Sequence, residues 1–187
     1  MKIFLSASVP LPNRDPRFIE TADVIAIREA VKALVLVALE RNAHITFGGH
    51  PAITPLIRKL MADAGRTVRE HFTLYLSRYF EKLFAAEVTA FEDLVLVEAV
   101  GSDRDKSLAL MRERMIGSNQ YQCGVFIGGM DGVITEAALF RQKHPKAVFL
   151  PVASTGAAAA ELYDDNLPTT LRNEFTYPSL FRQLLPP

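Results

Sequence analysis

Cysteine occurs once in the 187 residues, and neither sign of charge prevails, Lys+Arg and Asp+Glu standing at 21 each. The lone Cys123 excludes an internal disulfide, and its place in a buried-type apolar run reads as an inert core thiol rather than a nucleophile. A cytoplasmic location is the expectation for such a chain. The missing basic excess argues against a grip on nucleic-acid polymers, although a small anionic ligand needs only a few local donors. Long uncharged runs are absent too. The longest apolar segment, 24–39, is broken by Arg28, Glu29 and Lys32, and Met1-Lys2 leads into a strand-like run without a signal-peptide layout, so no membrane partner is expected. His50 has no second His, Cys or carboxylate at metal-ligand spacing, and no metal or cofactor is expected. No Gly-Lys-Ser/Thr occurs, and no Gly-x-Gly-x-x-Gly follows the first strand. Both the P-loop and the dinucleotide fingerprint are therefore missing, which counts against NTP hydrolysis and NAD-type hydride transfer.

What is present is a recurring unit of strand, glycine turn and helix. Residues 123–127 form a short apolar run that ends in Gly128-Gly129, and after Met130, Asp131 and Gly132 a helical pattern begins. Residues 43–47 lead in the same way into Gly48-Gly49-His50-Pro51 and a helix capped near Thr54. Residues 147–152 lead into Ser154-Thr155-Gly156 and a run of four alanines. A helix N-terminus presents unpaired N–H groups and the positive end of the helix dipole, and glycine lets a ligand approach the backbone. Strand one, 2–8, ends in the small residues Ser6, Ala7 and Ser8. A loop with Pro10, Pro12 and Pro16 follows, in which Arg14 and Arg17 could reach an anion. A helix from about Ala22 to Arg41, with Thr21 as its cap, is apolar on more than one side. It is either packed within a layered fold or part of a subunit interface. Further strands are expected at 71–76 and 94–97, and a helix from about Asp103 to Gly117 carries Arg104, Arg112 and Arg114. The segment 79–88 fits no single state.

With 49% hydrophobic residues the chain is long enough for one domain with a sizeable core, about 1–165, and an irregular C-terminal tail holding one short helical piece near 180–184. The expected fold is α/β, a Rossmann-like doubly wound and mostly parallel sheet with helices on both faces. In such a sheet the turns at the strand C-termini line the ligand crevice.

Taken together, Leu5 to Pro10, Phe47 to Pro55, Ile127 to Gly132 and Ser154 to Gly156 resemble the signature segments of the SLOG superfamily, which includes the LOG phosphoribohydrolases. The match is nearest to the stand-alone or TIR-associated SLOG domains of prokaryotic conflict systems. The resemblance implies a nucleotide or ADP-ribose-like nucleotide-derived ligand bound by Ser6, Ser8, Gly48, Gly49, His50, Gly128, Gly129, Gly132, Thr155 and Gly156. It also implies a sensor role in antiviral defence, a homo-oligomer, and an effector partner such as a TIR-domain protein. LOG enzymes place an arginine before the late glycine turn and a glutamate one helical turn after it. Those positions here are Arg112 and Glu136, the implied catalytic pair if the chain hydrolyses the N-glycosidic bond of a nucleoside monophosphate. The late turn departs from LOG in reading Gly-Gly-Met-Asp-Gly-Val, with Val133 where LOG has threonine and with the added charge of Asp131. His50-Pro51 replaces LOG's third glycine in the first motif. These departures fit a pocket reshaped for a nucleotide-derived signal; hydrolase and oligomerising scaffold are the alternatives.

Overall fold

The computed structural model of the protein describes residues 1–12, 15–65, 67–84 and 93–187. Six strands form one sheet: β1 (Lys2–Ser8), β2 (His44–Gly48), β3 (Phe72–Ser77), β4 (Leu94–Val97), β5 (Cys123–Gly128) and β6 (Val148–Val152). Their order is β4-β3-β2-β1-β5-β6 and every neighbouring pair is parallel. The chain steps outward from β1 to β4, then crosses back to lay β5 on the other side of β1. Connections leave β1 and β5 in opposite directions, and a crevice opens where they part.

Nine helices are described: α1 (Pro16–Thr21), α2 (Val24–Glu40), α3 (Thr54–Asp63), α4 (Val68–His71), α5 (Arg104–Gly117), α6 (Asp131–Lys143), α7 (Ala157–Glu161), α8 (Thr170–Asn173) and α9 (Tyr177–Leu184). They divide into two layers because strand side chains alternate between faces. Ile3 and Leu5 of β1, with Val125 and Ile127 of β5, join a core with α2, α3 and α9, whereas Phe4 and Phe126 point into a second core with Met115, Ile116, Val133 and Phe140 of α5 and α6. Phe140 lies against the sheet at Gly124, where a Cβ would stand 2.6 Å from its ring. Phe4 stacks on that ring with centroids 5.4 Å apart. This period of two sends Ser6 to the same face as Phe4, beneath α6.

The helix over 22–41 starts later than expected and uses another cap. Thr21 ends α1, its hydroxyl donating to the Arg17 carbonyl, while Asp23 caps α2 by accepting from the Ala26 N–H at 2.8 Å. Thr54 is the first residue of α3 rather than its cap and accepts from the His50 N–H at 3.1 Å. Residues 78–83 form a short 3-10 helix; the rest of the ambiguous segment, 85–88, lies outside the described residues.

The C-terminal region differs most from expectation. The helical piece expected near 180–184 is present as part of α9, but the region around it is not irregular: α8 also forms, and α9 lies along α2 with Tyr177, Leu180 and Phe181 buried. Pro178 sits in the first turn of α9, where a missing N–H costs nothing. The end of α9 is bound by Arg41. One guanidinium nitrogen donates to the carbonyls of Leu185 and Pro186 at 2.8 and 2.9 Å, and the other donates to that of Arg182 at 2.6 Å. The many apolar residues of α2 are thus covered within the chain by the sheet, α3 and α9, except for Val24, Ile25 and Leu36, which are exposed.

Candidate functional site

A cleft of about 380 Å³ opens above the C-terminal ends of β1 and β2, between the first turns of α5 and α6. Ser6 and Ser8 come from the end of β1, Gly48 to His50 from the turn after β2, Arg112 from α5, and Gly132 and Glu136 from α6. Eight of the residues expected at a site therefore share one wall-to-wall space.

Its centre is a three-residue cluster. The Ser6 hydroxyl donates to Oε2 of Glu136 at 2.6 Å, and Nε of Arg112 donates to Oε1 at 3.3 Å. Ser6 is buried, and the Arg112 and Glu136 side chains are only 18% and 14% exposed. Burial pushes the Glu136 carboxyl above the usual carboxylate range, opposed by the charge of Arg112 and by the two hydrogen bonds. A carboxyl poised this way in a cleft can hold or move a proton more readily than a surface glutamate. Gly132 makes room for the cluster: a Cβ there would stand 3.1 Å from Nη2 of Arg112, so the guanidinium lies close over the first turn of α6.

The other four expected residues lie behind the cleft and not in its walls. Gly128 has φ 56° and Gly129 φ 98°, left-handed backbone that favours glycine, and both are buried. A Cβ on Gly128 would strike Ile27, and one on Gly129 would strike Val133. The Thr155 hydroxyl accepts from the Gly128 N–H at 2.9 Å and donates to the Val152 carbonyl at 2.6 Å, fully enclosed. At Gly156 a Cβ would run into the Thr21 carbonyl. In this structure these residues shape the β5 and β6 turns and bring them against α1 and α2.

Asp131, whose charge was expected at the late turn, is in the wall, and three charged or polar wall residues were not expected at the site: Arg104, Asp105 and Thr135. Arg104, Leu108 and Arg112 recur at intervals of four on α5 and share one face, a periodicity readable in the sequence. Each acid of the wall meets an arginine. Arg104 donates to Asp105 at 2.9 Å, and Arg17 of α1 reaches Asp131 at 2.9 Å. Arg17 is also 3.2 Å from Asp15 and 3.7 Å from Glu161, so it is shared among three carboxylates rather than free for an anion. Arg14 lies outside the described residues.

His50 forms the opposite wall. Its Nδ1 accepts from the Ala52 N–H at 3.2 Å, and burial pulls its pKa down to about 4, which keeps the ring neutral near pH 7. Among the described residues no group of three or more His, Cys, Asp or Glu side chains could hold a metal ion. No helix among them is long and apolar enough to cross a membrane. Cys123 is buried, and burial raises its thiol pKa, away from reactivity.

A six-stranded parallel sheet covered on both faces, with a ligand-sized cleft beside the strand β1 from which its connections diverge, defines a Rossmann-like α/β protein. Comparison with known proteins narrows this class. The chain belongs to the SLOG cluster3 family, whose model matches residues 17–185. Among solved structures, the X-ray structure of TM1055, a structural genomics target, has the same fold: the TM-score is 0.53 at 15% identity, over 88% of this chain and 86% of that one. No curated protein matches the sequence.

Proposed function

We propose that the protein binds a nucleotide or ADP-ribose-like nucleotide derivative in the cleft above β1 and β2 and serves as a sensor in a prokaryotic defence system. The observation that carries this reading is the convergence of Arg112 and the first turn of α6 on a cleft of about 380 Å³. That volume lies within the roughly 300–1,000 Å³ typical of small-ligand sites. The guanidinium and the α6 N–H groups suit phosphate or ribose hydroxyls.

Two features favour binding over turnover. Both Glu136 oxygens are engaged, one by Ser6 and one by Arg112, so neither stands free to activate water. Val133, buried at 4% exposure, offers no hydroxyl at the α6 turn. The alternative, a LOG-like phosphoribohydrolase, draws on the raised pKa of Glu136, which is what a general acid or base near neutral pH requires.

The test incubates the protein with AMP, other nucleoside monophosphates, NAD, ADP-ribose and cyclic ADP-ribose isomers, then reads thermal stability and the compounds recovered. A sensor gains roughly 2.7 kcal/mol at a ligand concentration of 100 Kd, with the compound intact. Release of free base and ribose phosphate, lost in Glu136→Gln, would instead make the protein an enzyme.

A further inference from the structure

A second cavity of about 360 Å³ adjoins the cleft on the far side of His50. The two share Gly49, His50, Leu108 and Met111 as common wall, and so lie side by side. Their chemistry differs. The cleft presents Arg104, Arg112, Asp131 and Glu136, whereas the second cavity presents Leu76, Phe80, Leu83 and Phe84 and, among the described residues, no charged side chain. Gly49 sets the partition between them, for a Cβ there would collide with Leu76.

Two donors of the residues in the second cavity's wall lack acceptors among the described residues. Ser77 is 1% exposed, and its Oγ accepts from the Tyr79 N–H at 3.3 Å, but its own O–H meets no acceptor among the described residues. In His50, Nδ1 is the acceptor for the Ala52 N–H, so the neutral ring carries its proton on Nε2; that atom is closed off from solvent and unpartnered. Buried donors left unmet are costly, and they mark this wall as polar beneath its apolar surface. A flat heterocycle lays its faces against Phe80 and Phe84, which line the cavity.

We infer that the apolar cavity seats an uncharged heteroaromatic ring, the base end of the nucleotide whose ribose-phosphate end lies in the polar cleft, the two parts joined across Met111 and His50. This rests on the proposed function and adds to it the direction in which the ligand lies and the part of it that is read.

The chain contains no tryptophan, so Phe80→Trp places a single indole in the second cavity as a probe. AMP and ribose 5-phosphate are titrated against this variant, with emission and thermal stability followed together. Both compounds are expected to raise the Tm, and only AMP to change the indole emission, saturably. Leu83→Lys, at a position 80% exposed where folding is insensitive, is expected to weaken AMP at least tenfold and ribose 5-phosphate less than twofold. A rise in Tm with AMP and silent emission would overturn the base assignment while leaving the cleft reading intact. Absence of any Tm response to either compound would overturn both.

Discussion

Replacing Arg112 with methionine isolates the electrostatics of the cleft. The substitution keeps most of the side chain's apolar length and removes the guanidinium that lies 3.3 Å from Glu136. Both side chains are less than one-fifth exposed, so solvent screens the pair poorly and the carboxylate left behind is uncompensated. Breaking a buried pair in this way costs about 3–5 kcal/mol. For a chain of 187 residues, at roughly 2–4 °C per kcal/mol, the Tm of Arg112→Met should fall by about 6–20 °C at pH 8. The loss must depend on pH. Glu136 already has a folded pKa above 4.5, so the stability linked to its proton is fully present below 4.5 and lost as pH rises through the folded value. Removing Arg112, which lowers that pKa, moves the folded value higher still. Lowering the pH therefore favours the protonated, neutral Glu136 in the variant, and the loss should shrink as pH falls. Glu136→Gln in the same chain should recover it at every pH, since a neutral amide needs no counter-charge. Thermal unfolding of wild type, both single variants and the double variant from pH 5 to 8 measures all of this. A loss that is the same at pH 5 and pH 8, or that Glu136→Gln fails to restore, would refute the pairing as the source of the effect.

Other positions give simpler expectations. Phe181→Ala should cost about 3–5 kcal/mol in chemical denaturation because Phe181 is fully buried between α9 and the core. Phe175→Ala, at 62% exposure, should stay within about 0.5 kcal/mol of wild type, and equal losses would mean that α9 does not dock as described. Gly156→Ala drives a methyl into the Thr21 carbonyl and should lower stability by about 1–3 kcal/mol, while ligand affinity, referred to the folded fraction, stays unchanged. His50 has a folded pKa of about 4 against 6.5 when unfolded, so its contribution is present above 6.5 and lost as pH falls through 4. His50→Asn should remove about 3 kcal/mol of the acid destabilisation between pH 7 and pH 4, seen as a flatter stability profile.

The sheet was legible because strands buried on both faces read as short continuous apolar runs. Leu94 to Val97 and Cys123 to Ile127 have that form, and both occur as strands. The glycine turns were legible as turns, but sequence could not separate glycines facing the cleft from those facing the core. Gly132 lies under Arg112 while Gly128 lies under Ile27, and only the packing of α5 and α2 decides which is which. Arg104 was passed over because its role depends on sharing a helix face with Arg112, a relation that gains meaning once α5 is known to border the cleft. The C-terminal helix was underread for a different reason. Eight residues with a proline at the start have weak intrinsic helicity, and α9 is held by burial against α2 and by Arg41 rather than by local propensity.

The clasp of Arg41 on the end of α9 joins residues 144 and 145 positions apart. A ribosome adds about 5–20 residues per second, so α2 emerges on the order of 10 s before the helix that covers it. Through that interval the side of α2 that α9 will cover is an open greasy surface on a nascent chain, and the domain closes only when its last helix reaches its second.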